Sequence, residues 1–253
     1  MEWNTRSDGL APPPLLDRAR DALFLDFDGT LVPIAERPDA IAPDRLLPPL
    51  IARLRAALQG RVVIVSGRRI SDLDHYLQST GLLAAGLHGA EMRGTEPHEM
   101  HPDIHRALAR ARTDVSRNGG GLHIEDKGLA IALHFRARPE LQVLAEKLAA
   151  RAARESEGLL EVQPGNMVVE LRPCGADKGS ALQAFLKEPL FAGARPIFAG
   201  DDLTDEAGFD VARQAGGHGI IVGARQPTGA HYALPDPAAV HRWLIASLED
   251  MTA

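Results

Sequence analysis

The sequence of 253 residues contains one cysteine, Cys174, and only 4% aromatic residues. A single cysteine excludes an intrachain disulfide framework and a multi-cysteine zinc site, and it fits a reducing compartment. No apolar run approaches the roughly 20 residues that span a membrane, and no signal-peptide pattern opens the sequence. We therefore expect a cytoplasmic protein with an aliphatic core and no membrane partner.

The sequence also lacks an excess of positive charge. It has 28 Lys and Arg against 34 Asp and Glu, a formal net charge of −6. Nucleic-acid binding depends on clustered cations that neutralise phosphates, so this balance disfavours a nucleic-acid partner. The hydrophobic share of 45% and the charged share of 25% are ordinary for a globular protein. The length allows one large domain or two small ones.

Strand-like and helix-like segments alternate at the two ends of the sequence. Short apolar runs bounded by turn residues predict buried strands at 22–25, 61–65, 82–87, 196–199 and 219–222. Helical spacing of apolar residues predicts helices at 51–58, 70–77, 178–187, 205–215 and 237–248. This alternation indicates a doubly wound α/β fold with a mostly parallel sheet. Residues 1–20, which include three consecutive prolines, predict a loosely held lead-in.

The pattern changes in the middle of the sequence. Helices are predicted at 104–115 and 141–153, and hairpins at 122–135 and 160–171, with a tight turn at 126–128 in the first hairpin. Such a sequence of elements is typical of an α+β module with an antiparallel sheet. We therefore predict an α/β core made of residues 21–93 and 174–253, interrupted by an α+β insertion at 94–173.

Carboxylates are concentrated where two predicted strands end. Asp26 and Asp28 follow the first strand, and Asp201 and Asp202 follow the strand at 196–199. A single Asp-Gly turn would be an ordinary turn. Two such clusters at the ligand-binding edge of an α/β sheet favour a hard divalent cation such as Mg²⁺, because packed carboxylates otherwise repel each other.

Anion-binding groups follow two other elements. Ser66 and Gly67 offer a hydroxyl and an unhindered backbone N–H after the second strand. Lys178 opens a predicted helix, where a cation and the exposed N–H groups both favour a phosphate. Taken alone, Ser66 would be better interpreted as a turn residue, and Lys178 as a solvated surface lysine.

Together these segments resemble the four ordered motifs of the haloacid dehalogenase-like phosphatases. The segments are Asp26-x-Asp28-Gly29-Thr30, Val63-Ile64-Val65-Ser66-Gly67-Arg68, Lys178-Gly179 and Gly200-Asp201-Asp202-x-Thr204-Asp205-Glu206. The insertion lies between the second and third motifs, where that superfamily carries its larger type of cap.

The resemblance implies a role for each matching residue. Asp26 would be the nucleophile that takes the phosphoryl group, and Asp28 the general acid and then the general base. Thr30 would position the phosphoryl group, while Ser66 and Lys178 would neutralise its oxygens.

The resemblance also implies a magnesium site. The ligands of Mg²⁺ would be the Asp26 carboxylate, the Asp28 backbone carbonyl and Asp201. Asp202 and Asp205 would orient these ligands without binding Mg²⁺ themselves.

A narrower resemblance, to trehalose-6-phosphate phosphatases, involves the insertion. The segments that carry it are Leu87-His88-Gly89-Ala90-Glu91, Glu125-Asp126-Lys127-Gly128, Leu133-His134-Phe135-Arg136 and Gly165-x-x-Val168-Val169-Glu170-Leu171-Arg172-Pro173. It implies that Glu125, Lys127 and Glu170 contact the disaccharide, with His134 and Arg136 as further candidates. These side chains have the polar groups that hydrogen-bond sugar hydroxyls.

Ser66, Gly67 and Arg68 complete the expected set of substrate contacts. Arg68, like Glu91, either reaches the substrate or forms a structural ion pair. We expect a monomeric phosphatase acting on a small-molecule sugar phosphate. Two alternatives stay open: a phosphatase for another sugar phosphate, such as sucrose phosphate or a glycosylglycerate phosphate, and a non-catalytic phosphosugar sensor. Retention of both Asp26 and Asp28 argues against a sensor.

Overall fold

The computed structural model describes residues 9–34, 41, 44–95, 101–165 and 167–252. Two compact units divide the chain: residues 1–96 with 177–253 form one, and residues 97–176 form the other. The second unit is thus an insertion within the first.

Eleven strands and seven α-helices are found in the described residues. In chain order they are β1 (Asp21–Leu25), α1 (Leu47–Ala57), β2 (Val62–Val65), α2 (Ile70–Leu77), β3 (Leu83–Gly86), β4 (Glu91–Arg93), α3 (Ile104–Asn118), β5 (His123–Asp126), β6 (Ile131–His134), α4 (Gln142–Glu155), β7 (Leu160–Gly165), β8 (Val168–Pro173), α5 (Lys178–Leu186), β9 (Arg195–Gly200), α6 (Glu206–Gln214), β10 (His218–Val222), β11 (Tyr232–Leu234) and α7 (Pro237–Asp250). No helix in this part of the chain is long and apolar enough to cross a bilayer.

The first unit is built on a seven-stranded sheet with the order β11-β10-β9-β1-β2-β3-β4. All neighbouring pairs are parallel except β3 with β4. The predicted mostly parallel α/β fold is confirmed. Two strands escaped prediction, β4 and β11, because three residues are too few to show a period.

Alternation along β1 distributes its side chains to the two faces of this sheet. Leu23 and Leu25 pack with apolar residues of α1, α2 and α7. Ala22 and Phe24 face the opposite way and pack with α5 and α6. Helices therefore cover both faces, which is why the central strand is apolar throughout.

The described part of the lead-in is packed, contrary to the sequence-based expectation. Leu16 is buried. The Trp243 indole N–H donates to the Pro14 carbonyl at 2.9 Å, and the Ala233 N–H donates to the Ala11 carbonyl at 3.0 Å. Proline restricts the unfolded chain, so docking this segment costs less conformational entropy than usual. Residues 1–8 lie outside the described residues.

The inserted unit has an antiparallel sheet with the order β5-β6-β8-β7. Apolar residues of α3 and α4 pack against Ile131, Leu133 and Leu171, which cover one face of this sheet. The turn after β5 is closed by the Gly128 N–H, which donates to the Asp126 side chain at 2.9 Å. The second hairpin is longer than predicted, and Asn166 of its turn lies outside the described residues. The face opposite the helices carries polar side chains.

Candidate active site

Three adjacent strands of the first unit end in the predicted motif residues. Asp26 follows β1, Ser66 follows β2 and Asp201 follows β9. The Asp26 N–H donates to the Ala199 carbonyl at 2.9 Å, and the Ser66 N–H donates to the Ala85 carbonyl at 2.9 Å. The sheet ladder therefore continues into the motifs and fixes the backbone from which the polar side chains project.

Lys178 is the buried centre of this group. Its Nζ donates to Asp26 Oδ1 at 2.7 Å and to Asp205 Oδ1 at 2.6 Å. Burial alone would lower the pKa of Lys178, but Asp205 and Asp26 outweigh burial and raise it, so the ammonium group stays charged. Asp177 caps α5 by accepting from the Ser180 N–H, which places Lys178 at the first position of that helix. The surface-lysine interpretation of Lys178 is thus excluded.

Asp205 holds the loop that follows β9. Its Oδ2 accepts from the N–H groups of Asp201 and Asp202, both at 2.9 Å, while Oδ1 binds Lys178. A Cβ on Gly200 would lie 2.2 Å from Asp205 Cγ, so only glycine permits this close approach. Both oxygens of Asp205 are therefore engaged by the protein. The pairing of Asp205 with Lys178 was missed in the sequence, where nothing marks it.

Asp201 stands beside Asp26. One carboxylate oxygen from each of Asp26, Asp201 and Asp205 lies within 4.8 Å of the others. Gly29 has φ +83°, and a Cβ there would lie 2.1 Å from Asp201 Oδ2. The loop after β1 therefore needs glycine at this position, both for its left-handed backbone and for its contact with Asp201.

The electrostatics of this cluster favour an added cation. Burial raises the pKa of Asp26, opposed by Lys178 and reinforced by the charges of Asp205 and Asp201. Burial together with Asp205 and Asp202 raises the pKa of Asp201 to about 7. One ammonium group thus faces more carboxylates than it neutralises. Carboxylate oxygens are the ligands that Mg²⁺ prefers, so the donor set fits this ion.

The side chain of Asp28 is paired with Arg68. Arg68 Nε donates to Asp28 Oδ2 at 2.6 Å, and Arg68 Nη2 donates to Asp28 Oδ1 at 2.8 Å. Burial lowers the pKa of Arg68, but the hydrogen bond and charge of Asp28 outweigh burial and raise it. Arg68 was predicted to contact the substrate, with a structural ion pair as the alternative. In this structure Arg68 forms the ion pair, and its partner is Asp28. Glu91 likewise has a structural role, because its Oε2 accepts from the Ile70 N–H at 2.7 Å.

The hydroxyl groups of Thr30 and Ser66 are both buried. Thr30 Oγ1 has no hydrogen-bond partner among the described residues. Ser66 Oγ accepts from the Arg68 N–H at 3.1 Å, which leaves its own proton available. Burying a hydroxyl group without a hydrogen-bond partner costs free energy. Thr30 therefore fits a position where a bound ligand supplies the acceptor.

His88 belongs to one of the motif segments, but its residue type and spacing predict no role for it. A Cβ on Gly67 would lie 2.6 Å from His88 Nε2, so the imidazole packs directly on the glycine next to Ser66. His88 and Leu87 have φ values of 58° and 49°, a conformation that non-glycine residues rarely adopt. Neither the contact nor the conformation has a sequence signal.

The three predicted sugar contacts lie together in the inserted unit. Glu125 of β5 and Glu170 of β8 are both in register with Ala132 of β6. Lys127 Nζ forms a short ion pair with Glu170. His134 Nε2 lies 2.9 Å from Glu125 Oε2, and the pKa of Glu125 is lowered by this hydrogen bond, against burial and with help from Lys127. We call Glu125, Lys127, His134 and Glu170 the polar face. Arg136 lies exposed beyond the end of β6.

The fold and the buried carboxylate–lysine cluster define the class of protein. A parallel sheet interrupted by an α+β insertion, with Asp26, Asp201 and Lys178 converging beyond its central strands, is the arrangement of the haloacid dehalogenase-like hydrolases of phosphoric monoesters.

Comparisons with known proteins identify the family within this class of hydrolases. The sequence profile described as trehalose-phosphatase matches residues 24–238. A probable trehalose-phosphate phosphatase of Sinorhizobium fredii is 38% identical over 235 residues, which cover 90% of this chain and 87% of that protein. The trehalose-6-phosphate phosphatase of Escherichia coli is 37% identical over 231 residues, 89% of this chain and 86% of that protein.

Solved structures agree at the level of the fold. The C-terminal domain of C. albicans trehalose-6-phosphate phosphatase superimposes with a TM-score of 0.72 at 23% identity, covering 93% of this chain and 98% of that one. The chain belongs to the trehalose-phosphatase family.

Proposed function

We propose that this protein hydrolyses trehalose 6-phosphate to trehalose and inorganic phosphate, with Mg²⁺ as its cofactor. The observation that carries the proposal is Asp26, which follows the central strand, accepts a hydrogen bond from the buried Lys178 ammonium and has an oxygen within 4.8 Å of one from Asp201. Family membership supports the substrate, since the relatives named above are trehalose-phosphate phosphatases.

The reaction takes two steps through Asp26. An Asp26 oxygen attacks phosphorus while Asp28 donates a proton to the sugar oxygen, whose bond to phosphorus breaks. Asp28 then accepts a proton from water, which attacks the aspartyl-phosphate, and phosphate leaves as the Asp26 carboxylate is restored. Lys178, Ser66 and Thr30 stabilise the charge on the transferring oxygens, which is the main requirement of phosphoryl transfer.

The metal ligands follow from the same cluster. Mg²⁺ would be held by the carboxylates of Asp26 and Asp201 with the Asp28 carbonyl, while Asp202 and Asp205 keep these ligands in place. When bound, it supplies positive charge that lets anionic Asp26 approach an anionic phosphate. Asp205 supports the site from within the protein, because both of its oxygens already accept hydrogen bonds.

The sugar half of the substrate is assigned to the polar face of the inserted unit, with Ser66 and Gly67 contacting the phosphate half. Glu125, Lys127 and Glu170 offer charged acceptors and donors, and a sugar with misplaced hydroxyls would leave these groups unpaired. This selection by polar groups supports a specific phosphatase. We also propose that the enzyme acts as a monomer, which sedimentation equilibrium of the purified chain would test.

The decisive experiment measures phosphate release from trehalose 6-phosphate, sucrose 6-phosphate, a glucosylglycerate phosphate and glucose 6-phosphate, with Mg²⁺ and with EDTA. We expect release from trehalose 6-phosphate alone, loss of release in EDTA, and background rates for Asp26→Asn. Equal turnover of the four sugar phosphates would refute the assignment of trehalose 6-phosphate as the substrate. Full activity of Asp26→Asn would refute the mechanism. Binding without release would favour a phosphosugar sensor.

The role of the polar face has its own test. Lys127→Met removes a charged hydrogen bond to the sugar, worth about 1.5–3 kcal/mol. We expect KM for trehalose 6-phosphate to rise about 10- to 100-fold, since 1.4 kcal/mol is about a factor of 10. Steady-state kinetics with p-nitrophenyl phosphate, which has no sugar, should be unchanged. Lys147→Met, at an exposed lysine of α4, is the matched control, and an equal KM change there would contradict the assignment.

A further inference from the structure

We propose that Arg68 acts on the reaction through Asp28, as a positioning residue that sets the orientation of the general acid. This inference rests on the proposed function, because it assumes that Asp28 transfers the proton.

The contact between the two side chains is bidentate. Arg68 donates through Nε at 2.6 Å and through Nη2 at 2.8 Å, each to a different oxygen of Asp28. A guanidinium group binds a carboxylate in this way through two parallel bonds in one plane, which fixes both distance and rotation. A lysine could supply the positive charge but not the two parallel hydrogen bonds in one plane.

Arg68 is itself held in place from several sides. Its guanidinium carbon lies 5.2 Å from the centre of the Tyr76 ring and 5.8 Å from the centre of the Phe27 ring. The two rings stack on each other with centroids 5.8 Å apart. The Arg68 side chain is only 13% exposed, whereas that of Asp28 is 35% exposed. The arginine is therefore the fixed member of the pair and Asp28 the member that a ligand can reach.

The backbone of Arg68 is fixed as well. Its N–H donates to Ser66 Oγ at 3.1 Å, and its carbonyl accepts from the Leu87 N–H at 2.9 Å. Arg68 is thus tied to Ser66, which the proposed mechanism places on the phosphoryl oxygens. A fixed arginine beside the phosphoryl site can hold the Asp28 carboxyl at a constant distance from the leaving oxygen.

The proton transfer requires one Asp28 oxygen to turn toward the substrate. That oxygen carries the proton taken from water in the preceding turnover. It gives this proton to the sugar oxygen as the bond from the sugar oxygen to phosphorus breaks, and Asp28 becomes a carboxylate. The other oxygen keeps its bond to Arg68 throughout, so the side chain rotates about a fixed point. Once the sugar leaves, both bonds re-form and hold Asp28 ready to accept a proton from water.

A positioning role predicts dependence on the leaving group. A sugar alkoxide must be protonated as it leaves, whereas p-nitrophenolate leaves without a proton. Loss of Arg68 should therefore slow formation of the aspartyl-phosphate from the sugar phosphate and spare its formation from p-nitrophenyl phosphate. A direct contact between Arg68 and the sugar would instead raise KM with little change in kcat.

The experiment compares Arg68→Met and Arg68→Lys with the wild type in rapid-quench measurements of the first turnover. For trehalose 6-phosphate, we expect Arg68→Met to lower the first-turnover rate on the order of 10- to 100-fold, part of the roughly 10²- to 10⁴-fold that a general acid contributes. Arg68→Lys should recover little of it. The p-nitrophenolate burst should keep its wild-type rate in both variants. Arg69→Met, at the neighbouring and more exposed arginine, is the matched control.

The other outcomes overturn the inference. Equal slowing with both substrates would place Arg68 on the phosphoryl group, and a raised KM with unchanged kcat would place it on the sugar. If Arg68→Met does not fold, Tyr76→Leu removes one ring from the guanidinium and should show a smaller slowing with the same leaving-group dependence. If the wild type releases no phosphate from trehalose 6-phosphate, the proposed function fails; the sugar phosphate that does turn over then tests Arg68.

Discussion

The two units of the chain differ in how far the charged groups of their candidate sites are removed from water. In the first unit, the side chains of Asp26, Lys178 and Asp205 are 4%, 3% and 0% exposed and bind one another. In the inserted unit, the side chains of Glu125 and His134 are 41% and 25% exposed. The Asp26 carboxylate and its ion-pair partners are therefore already desolvated, whereas Asp28, beside them, is 35% exposed. In the inserted unit, Lys127 and Glu170 are intermediate, at 15% and 12% exposed, and Glu125 and His134 are still in contact with water.

This difference has a physical reason. Charges that stabilise a transition state act most strongly where water is excluded and where they need no reorganisation. Groups that recognise a sugar must exchange their present partners for hydroxyls, which is cheap only where the existing pairs are weak and hydrated. Three predictions test this contrast, from the largest expected effect to the smallest.

Removal of the buried ammonium group should have the largest effect on stability. Lys178→Met leaves Asp26 and Asp205 buried without their partner, and breaking a buried ion pair costs about 3–5 kcal/mol. Urea denaturation should show this loss in the free energy of unfolding, together with loss of phosphatase activity. Lys187→Met, at an exposed lysine just after the same helix, should be close to neutral. Exposed ion pairs contribute less than about 1 kcal/mol to the free energy of unfolding. A loss this small for Lys178→Met would contradict the difference proposed between the two units.

Mg²⁺ should stabilise the protein more as the pH rises. The pKa of Asp201 is raised to about 7, so without metal its ionisation costs stability progressively between about pH 4 and about pH 7. A cation removes this cost only where the carboxylate is ionised. At a concentration near 100 times Kd, Mg²⁺ should contribute about 2.7 kcal/mol.

Thermal unfolding with and without Mg²⁺, at about pH 5.5 and about pH 8, measures this effect. The shift in Tm should be larger at the higher pH and should shrink in Asp201→Asn. Glu125→Gln, in the inserted unit, should keep the full shift. An equal shift at both pH values would contradict the assignment of Asp201 as a ligand.

Disruption of an exposed pair should have the smallest effect. His134→Asn removes the partner of Glu125, and pairs at this level of exposure contribute less than about 1 kcal/mol. The same urea titration should therefore give nearly the wild-type free energy of unfolding. A loss as large as that of Lys178→Met would show that the polar face is a structural network.

Much of the fold and of the site composition could be predicted from the sequence. Strands buried on both faces are continuous apolar runs, and carboxylates directly after such runs stand at the ligand-binding edge. This logic predicts that Asp26 and Asp201 lie together, as they do in the structure. The segments that resemble known motifs added the polar face of the insertion.

Side-chain pairing could not be predicted in the same way. Lys178 and Asp205 are 27 positions apart, and Arg68 and Asp28 are 40 positions apart. No local feature of either segment identifies its partner, because the packing of whole helices and strands decides which side chains meet. The docking of the lead-in on Trp243 and the three-residue strands β4 and β11 depend on the same long-range packing.

The pairing of β1 with β9 has a consequence for synthesis of the chain. Asp21 of β1 and its partner Arg195 of β9 are separated by 174 positions, and the whole inserted unit lies in the interval. Until β9 emerges from the ribosome, β1 has an unpaired edge, and an apolar strand edge is a site for pairing with other chains. Lys178 and Asp205 also follow β1 by more than 150 positions, so the Asp26 carboxylate lacks its ion-pair partners until both have been made. A nascent chain of this protein therefore has an unpaired β1 edge and an incomplete carboxylate–lysine cluster until β9 and the loop that follows it have been made.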